Sequence, residues 1–341
     1  MALFSRRDKK TTPSDEVETP DVAPEAHAPA AEVEADDVPQ VNISMSTFGK
    51  PAPAPRPAPT PVPDGAQRVQ RGPAEAPART ESVPGLPDNV LVRQALTALP
   101  EQPEPSDIMT LMRQLLQGHL FVRVRGDARA QLAEGKQLTM AVSAVGDDRY
   151  LLAFTGGDAL QASVAADGDK ETSAMGQPVA AILRNVVDGP YAGFILDHAT
   201  PGRRAILPKA LVEKAMQDAD PEFTLKNLLA GERTDETPAA VGAALATTRV
   251  WVAAGAVPGE DKRMGVSEVR GANGSRHLEV FSHPLEVAVL GRNDRAVPLT
   301  PQQLSKALAA DVGLTGVVVD PAGPWIMLDR SALAPVIALT A

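Results

Sequence analysis

The part of this 341-residue chain with periodic apolar patterning is written twice. Tyr150-Leu-Leu-Ala-Phe-Thr155 reappears as His277-Leu-Glu-Val-Phe-Ser282, and Ala192-Gly-Phe-Ile-Leu-Asp197 as Thr315-Gly-Val-Val-Val-Asp320. A fainter echo joins Ala205-Ile-Leu-Pro-Lys209 to Ile326-Met-Leu-Asp-Arg330. The spacings are 127, 123 and 121 residues (150 to 277, 192 to 315, 205 to 326), so the order is kept and only the connections change length. A long-period duplication dictates two related units before any local assignment is made. The shared residues are therefore candidates for the core first and for a site second.

Local patterns give each unit the same plan. Val92, Ala95, Leu96 and Leu99 mark a short helix. Ile108, Met109, Leu111, Met112, Leu115 and Leu116 mark a second, with Ser106 as the expected N-cap and Gly118 as the stop. A strand follows at 120–124. A hairpin then pairs the alternating Leu138, Met140, Val142 and Ala144 with 149–154. Its repeat runs from 266–270 through the turn Gly271-Ala-Asn-Gly-Ser275 to 277–281. Helices follow at 177–187, opened by Pro178, and at 300–308, where Thr300 and Gln303 form a capping box. The apolar runs 193–196 and 316–319 read as buried strands, paired with 204–207 and 325–328. A closing helix starts at Pro208. The predicted order in each copy is α-β-β-β-α-β-β-α. The fold class is α+β: two repeated modules, each a mixed β-sheet with packed helices, spanning 89–232 and 233–341.

Residues 1–88 read as a disordered acidic and Pro-rich arm. They hold 16 of the 32 prolines, which leaves too little apolar surface to offset the entropy of ordering. Nine acids lie between Asp15 and Asp37, with no Lys or Arg from Thr11 to Gly49. Proline at every second position from Pro51 to Pro63 favours an extended spacer. The formal net charge of −10 and the 3% aromatic content argue against nucleic acid as a partner. With no cysteine, disulfides, thiolate metal sites and a cysteine nucleophile are excluded. No apolar run reaches the ~20 residues of a membrane span, so no integral membrane association is expected. The basic start, Met1 to Lys10, lacks the apolar stretch of a secretory signal.

Motifs for known chemistry are missing. Gly135-Lys136 is followed by Gln137 rather than a hydroxyl residue, so there is no Walker loop. Neither the dinucleotide glycine pattern nor the nucleophile elbow occurs. His277 and His283 are six apart and belong to no ligand trio, so no metal or cofactor is expected. Asp197-His198 is the best acid–base pair, with Arg203 and Arg204 nearby to receive an acidic group. The second copy keeps the Asp, as Asp320, but replaces the His by Pro321, which favours a structural turn residue. Phe154-Thr155 and Phe281-Ser282 place a core ring before a hydroxyl expected to cap the next helix. With Trp325, present only in the second copy, these ten residues make up the candidate binding surface.

The chain resembles the SseB family of high-GC actinobacteria, whose module is the SseB N-terminal domain. The resemblance rests on Leu151-Leu-Ala-Phe-Thr155, Leu196-Asp-His-Ala-Thr-Pro-Gly202, Ile206-Leu-Pro208 and Leu225-Lys-Asn-Leu-Leu-Ala230 in the first copy. In the second it rests on Leu278-Glu-Val-Phe-Ser-His-Pro-Leu285 and Gly316-Val-Val-Val-Asp-Pro-Ala-Gly-Pro-Trp325. It covers about 90–341 and implies a tandem cytoplasmic module, with no catalytic residues to carry over. Duplication without a repeated polar constellation favours a non-enzymatic binding or adaptor protein whose groove between the copies receives a protein or peptide. The alternative is an enzyme or small-ligand sensor around Asp197, His198 and Arg203.

Overall fold

Alternation along the strands separates two faces on each sheet. On the first strand Leu120, Val122 and Val124 enter the main core, whereas Phe121 joins a smaller cluster on the opposite face. The computed structural model describes residues 71–257, 260–271 and 273–340, and the arm reading for 1–70 lies outside them. The first module runs α1 (Val90–Thr97), α2 (Pro105–Leu115), β1 (His119–Arg125), α3 (Ala128–Ala133), β2 (Val142–Val145) and β3 (Asp148–Phe154). It continues through α4 (Gly157–Asp167), β4 (Thr172–Pro178), α5 (Val179–Asp188), β5 (Gly193–Leu196), β6 (Ala205–Pro208) and α6 (Lys209–Asp218). The second module runs α7 (Thr224–Ala230), α8 (Thr237–Leu245), β7 (Val250–Val257), β8 (Glu260–Val266), β9 (Glu268–Arg270) and β10 (Arg276–Val280). It ends with α9 (Pro284–Ala288), β11 (Arg295–Leu299), α10 (Pro301–Ala310), β12 (Leu314–Val319), β13 (Ile326–Asp329) and α11 (Ala334–Ile337).

The first sheet has the order β4-β1-β3-β5-β6, with β2 paired to β3. Only β3 and β5 are parallel; the other pairs are antiparallel. The second module repeats this order as β11-β7 followed by β10-β12-β13, where β10 and β12 are parallel. Here β7 meets the β10 side through a single bridge, Trp251 to Phe281, whose two N–H···O bonds are both 2.8 Å. That bridge is the counterpart of Phe121 opposite Phe154. Even the irregularity is copied. Ala141 links Arg123 to Leu152 through its N–H and C=O, and Ser267 links Ala253 to Glu279 in the same way.

Helices α1, α2, α5 and α6 cover the main face of the first sheet, and α4 covers the other with Ala159 and Leu160. In the second module α7, α8, α10 and α11 take the main face, and α9 supplies Val287 to the other. Helix α7, read from the sequence as part of the first module, contributes Leu225 and Leu229 to the second core.

Several local expectations need correction. The sequence pattern did not reveal β4 and β11, which are edge strands with few β-branched residues, one containing Gly176 and the other Pro298. Helix α2 begins at Pro105 rather than after Ser106, and the Asp107 carboxylate accepts the Glu104 N–H at 2.9 Å. The end of the arm is also structured. Leu86 packs against Phe121, Leu152, Phe154 and their neighbours, and Asp88 is buried. The Asp88 carboxylate accepts hydrogen bonds from the Thr80 and Ser82 hydroxyls, both at 2.7 Å, and pairs with Arg93. Specific polar bonds therefore hold residues that apolar periodicity did not mark.

Two equivalent glycines permit close backbone approach. A Cβ on Gly193 would lie 2.2 Å from the Leu207 carbonyl oxygen, and one on Gly316 would lie 1.9 Å from that of Leu328. Gly316→Ala is therefore expected to cost about 2 kcal/mol through forced separation of β12 and β13. Urea unfolding of the purified variant checks this; a midpoint equal to wild type would show that the strands relax freely.

Candidate functional site

Each module carries the same carboxylate clasp at the ends of its two parallel strands. Asp197 and Asp320 follow β5 and β12 directly and adopt left-handed backbones, with φ of 47° and 51°. Asp tolerates this conformation better than most residues. The turn makes each carboxylate face the end of the neighbouring strand. Asp197 accepts the Thr155 N–H at 2.8 Å and the Thr155 hydroxyl at 2.6 Å. Asp320 accepts the Ser282 N–H at 2.7 Å and the Ser282 hydroxyl at 2.5 Å. Both oxygens of each carboxylate are engaged, and both aspartates are at most 1% exposed. Burial pushes Asp197 up to about 6 against the lowering effect of its Thr155 bonds. Burial, reinforced by Glu286, pushes Asp320 up to about 7.

The hydroxyls thus bind the carboxylates instead of capping helices. Gly156 occupies the N-cap of α4, and His283 occupies that of α9, where its Nδ1 accepts the Leu285 N–H at 3.1 Å. The other ring nitrogen of His283 lies 2.9 Å from the Ala215 carbonyl in the first module. With Nδ1 accepting, Nε2 carries the proton and donates across the junction.

The expected groove between the copies is closed. Glu286 on α9 is wholly buried and pairs with Arg113 on α2 at 2.9 Å and with Lys226 on α7. Arg113 also donates to the Gly323 carbonyl at 2.7 Å, while Leu285 packs against the first module's core. Burial alone would raise the Glu286 carboxyl, but the Lys226 and Arg113 charges outweigh it and hold the group ionised. The cavity beside Lys226, Ser282 and His283 is about 10 Å³. That is barely room for one water and none for a peptide. Sequence periodicity missed Arg113, Lys226 and Glu286. The one available signal was a charge set among apolar helix residues, as at Arg113 between Met112 and Leu115.

The remaining candidates split between the two turns that follow the clasps. In the first module Arg203 donates to Asp158 at 2.8 Å, and Arg93 forks onto the same carboxylate at 2.8 and 2.9 Å. Burial would raise Asp158, but the Arg203 bond, the Ala159 N–H and Arg93 bring it down to about 2. Arg203 is therefore committed within the fold. His198 lies edge-on to Phe154 with ring centroids 5.9 Å apart, and burial followed by the Arg123 charge lowers its pKa. Asp197 makes its hydrogen bonds to Thr155, and the buried Nδ1 of His198 has no hydrogen-bond partner among the described residues, so the two side chains are not joined as an acid–base pair in this structure. Arg204, directly before β6, is exposed.

Trp325, directly before β13, is the positional counterpart of Arg204 and lies in a different environment. Residues 71–74 run across it outside any helix or strand, with a bend at Ala74. Gly72 N–H donates to the Pro321 carbonyl at 3.0 Å, and Trp325 N–H donates to the Ala74 carbonyl at 3.0 Å. The indole Nε1–H donates to the Gly72 carbonyl at 2.9 Å, and the Arg71 guanidinium lies 5.5 Å from the ring centroid. Arg233 adds a bond to the Ala74 carbonyl at 3.2 Å. Of the ten candidate residues, Phe154, Thr155, Asp197, Phe281, Ser282 and Asp320 are thus buried structural members, whereas the turns beyond them present side chains at the surface.

Two outcomes follow. Glu286→Gln would leave two buried cations with no anion between them, and is expected to cost about 3–5 kcal/mol in urea unfolding. Asp320 has a raised value in the fold, so its contribution is fully present below the unfolded value of 3.8 and is lost as pH rises through about 7. His198, His277 and His283, all lowered, act in the opposite sense but are common to wild type and Asp320→Asn. The melting temperature of Asp320→Asn relative to wild type should therefore climb, by on the order of 5 °C, between pH 4 and pH 8. A flat difference across that range would overturn the raised value.

Comparison with known proteins agrees with the duplication. The SseB protein N-terminal domain family matches residues 92–213 and again 224–334. No curated protein and no solved structure matches the chain. With two copies of its domain spanning most of the described residues, the chain belongs to the SseB N-terminal domain family.

Proposed function

We propose that this is a non-enzymatic binding protein of the cytoplasm that holds a protein segment against the turn after β12, at Trp325. The observation that carries the reading is the chain's own segment 71–74, bound there through main-chain groups and the indole. A surface that holds one peptide segment by backbone bonds has the chemistry to hold another. Aromatic residues at such a position supply contact area at low entropic cost. The closed junction and the buried clasps support placing the partner on this rim and not between the modules. Among the described residues no helix is long and apolar enough to cross a membrane. That is compatible with a cytoplasmic protein.

Selection of displayed random peptides on the immobilised full chain tests the proposal. Trp325→Ala should reduce capture of the enriched peptides at least tenfold, while His198→Ala leaves it intact. If capture follows His198 and ignores Trp325, the site lies on the first module and the reading fails.

A further inference from the structure

The contact at Trp325 differs from an ordinary packed terminus. No side chain from residues 71–77 joins any of the hydrophobic clusters, and Arg71, Pro73, Ala74 and Glu75 are exposed. The bonds described above to Gly72 and Ala74 are all to main-chain atoms of the strap. The next stretch is anchored in the first module through Asp88 and Leu86. Residues 71–76 are thus a weakly packed ligand on a short tether. A short tether sets an effective concentration in the millimolar range, enough to keep a weak ligand seated.

Two features show what the site selects and where the strap falls short of it. Gly72 is required by space, since a Cβ there would lie 2.0 Å from the Ala322 carbonyl oxygen. Opposite it, Gly323 has φ of +88° and would place a Cβ 2.7 Å from the Pro73 carbonyl oxygen, so two glycines face each other across the contact. Arg233 uses one terminal nitrogen on the Ala74 and Trp325 carbonyls. The strap's own Glu75 acts on Arg233 through its charge, but makes no hydrogen bond to its buried Nε and Nη1, which meet no acceptor among the described residues. A guanidinium with unmet donors is better served by a carboxylate than by a carbonyl.

We infer that residues 71–76 are an intramolecular gate on the Trp325 site, displaced by a Gly-Pro peptide that carries a carboxylate just after the proline, within reach of Arg233. This rests on the proposed peptide-binding reading. The strap occupies the site at rest, and a partner that also satisfies Arg233 displaces it. The first module has Arg204 in place of the tryptophan, so among the described residues one gated site of this kind occurs.

The test uses the full chain, as wild type and as Gly72→Val, with a fluorescent synthetic peptide of residues 66–78. Gly72→Val should unseat the strap, seen as a red shift in tryptophan emission, and bind the peptide at least tenfold tighter than wild type. A peptide carrying Gly72→Val should not bind, and one carrying Ala74→Asp should bind severalfold tighter. Replacing residues 71–77 by an equal length of Gly and Ser gives the same comparison if Gly72→Val does not fold. Equal binding to wild type and variant overturns the gate while leaving the peptide site standing. Binding to neither, with the variant folded, overturns both. An unchanged emission spectrum overturns the role of Gly72, and equal binding of the Ala74→Asp peptide overturns the carboxylate preference.

Discussion

The arrangement of both modules turns on one interaction: a buried carboxylate joining the ends of two parallel strands. Parallel neighbours cannot be closed by a tight hairpin, because the chain must cross over before returning. At the point where β3 and β5, or β10 and β12, finish together, backbone groups lose their sheet partners. Asp197 and Asp320 accept the next N–H and a hydroxyl at that point, while their left-handed backbones send the chain into a reversing turn. The side chain thus finishes the ladder and sets the direction of the loop that follows. Burial makes ionisation costly, yet removing the acceptor would orphan two donors, so the group is retained in both copies.

From the clasps outward the two modules diverge. In the first, the turn is pinned by Arg203 on Asp158, part of a network that also fixes the start of α1 through Arg93 and Asp88. In the second, Arg113 reaches the carbonyl of Gly323 within the turn while pairing with Glu286 beneath it. The junction between modules and the peptide rim are therefore connected through one arginine. A buried ion cluster adds little net stability over apolar packing, but separating its members would leave an uncompensated buried charge, which disfavours arrangements of α2, α7 and α9 that break it.

Much of the architecture was legible in the chain. Alternation at 120–124 and the apolar runs 193–196 and 316–319 report the faces of strands directly, since strand burial has a period of two. The Thr300–Gln303 capping box appears as read, because its partners are three residues apart. Edge strands β4 and β11 escaped notice because each carries few β-branched residues and is interrupted by Gly176 or Pro298. For the candidate site, the pairing of Asp with a preceding hydroxyl was visible only as two recurrent residues. Nothing local distinguished a helix cap from a bond across 42 or 38 positions.

The sequence by itself determined the duplication, the α+β class and the identity of the repeated Asp and hydroxyl residues. These depend on patterns within a few residues, or on direct comparison of one half with the other. Only the tertiary structure decided that the groove between copies is filled, that Arg203 is committed to Asp158, and that the end of the arm lies on Trp325. Those contacts join residues 173, 45 and 253 positions apart. Their energies depend on which charged and aromatic groups meet once the chain has folded, and no periodicity along the chain encodes that meeting.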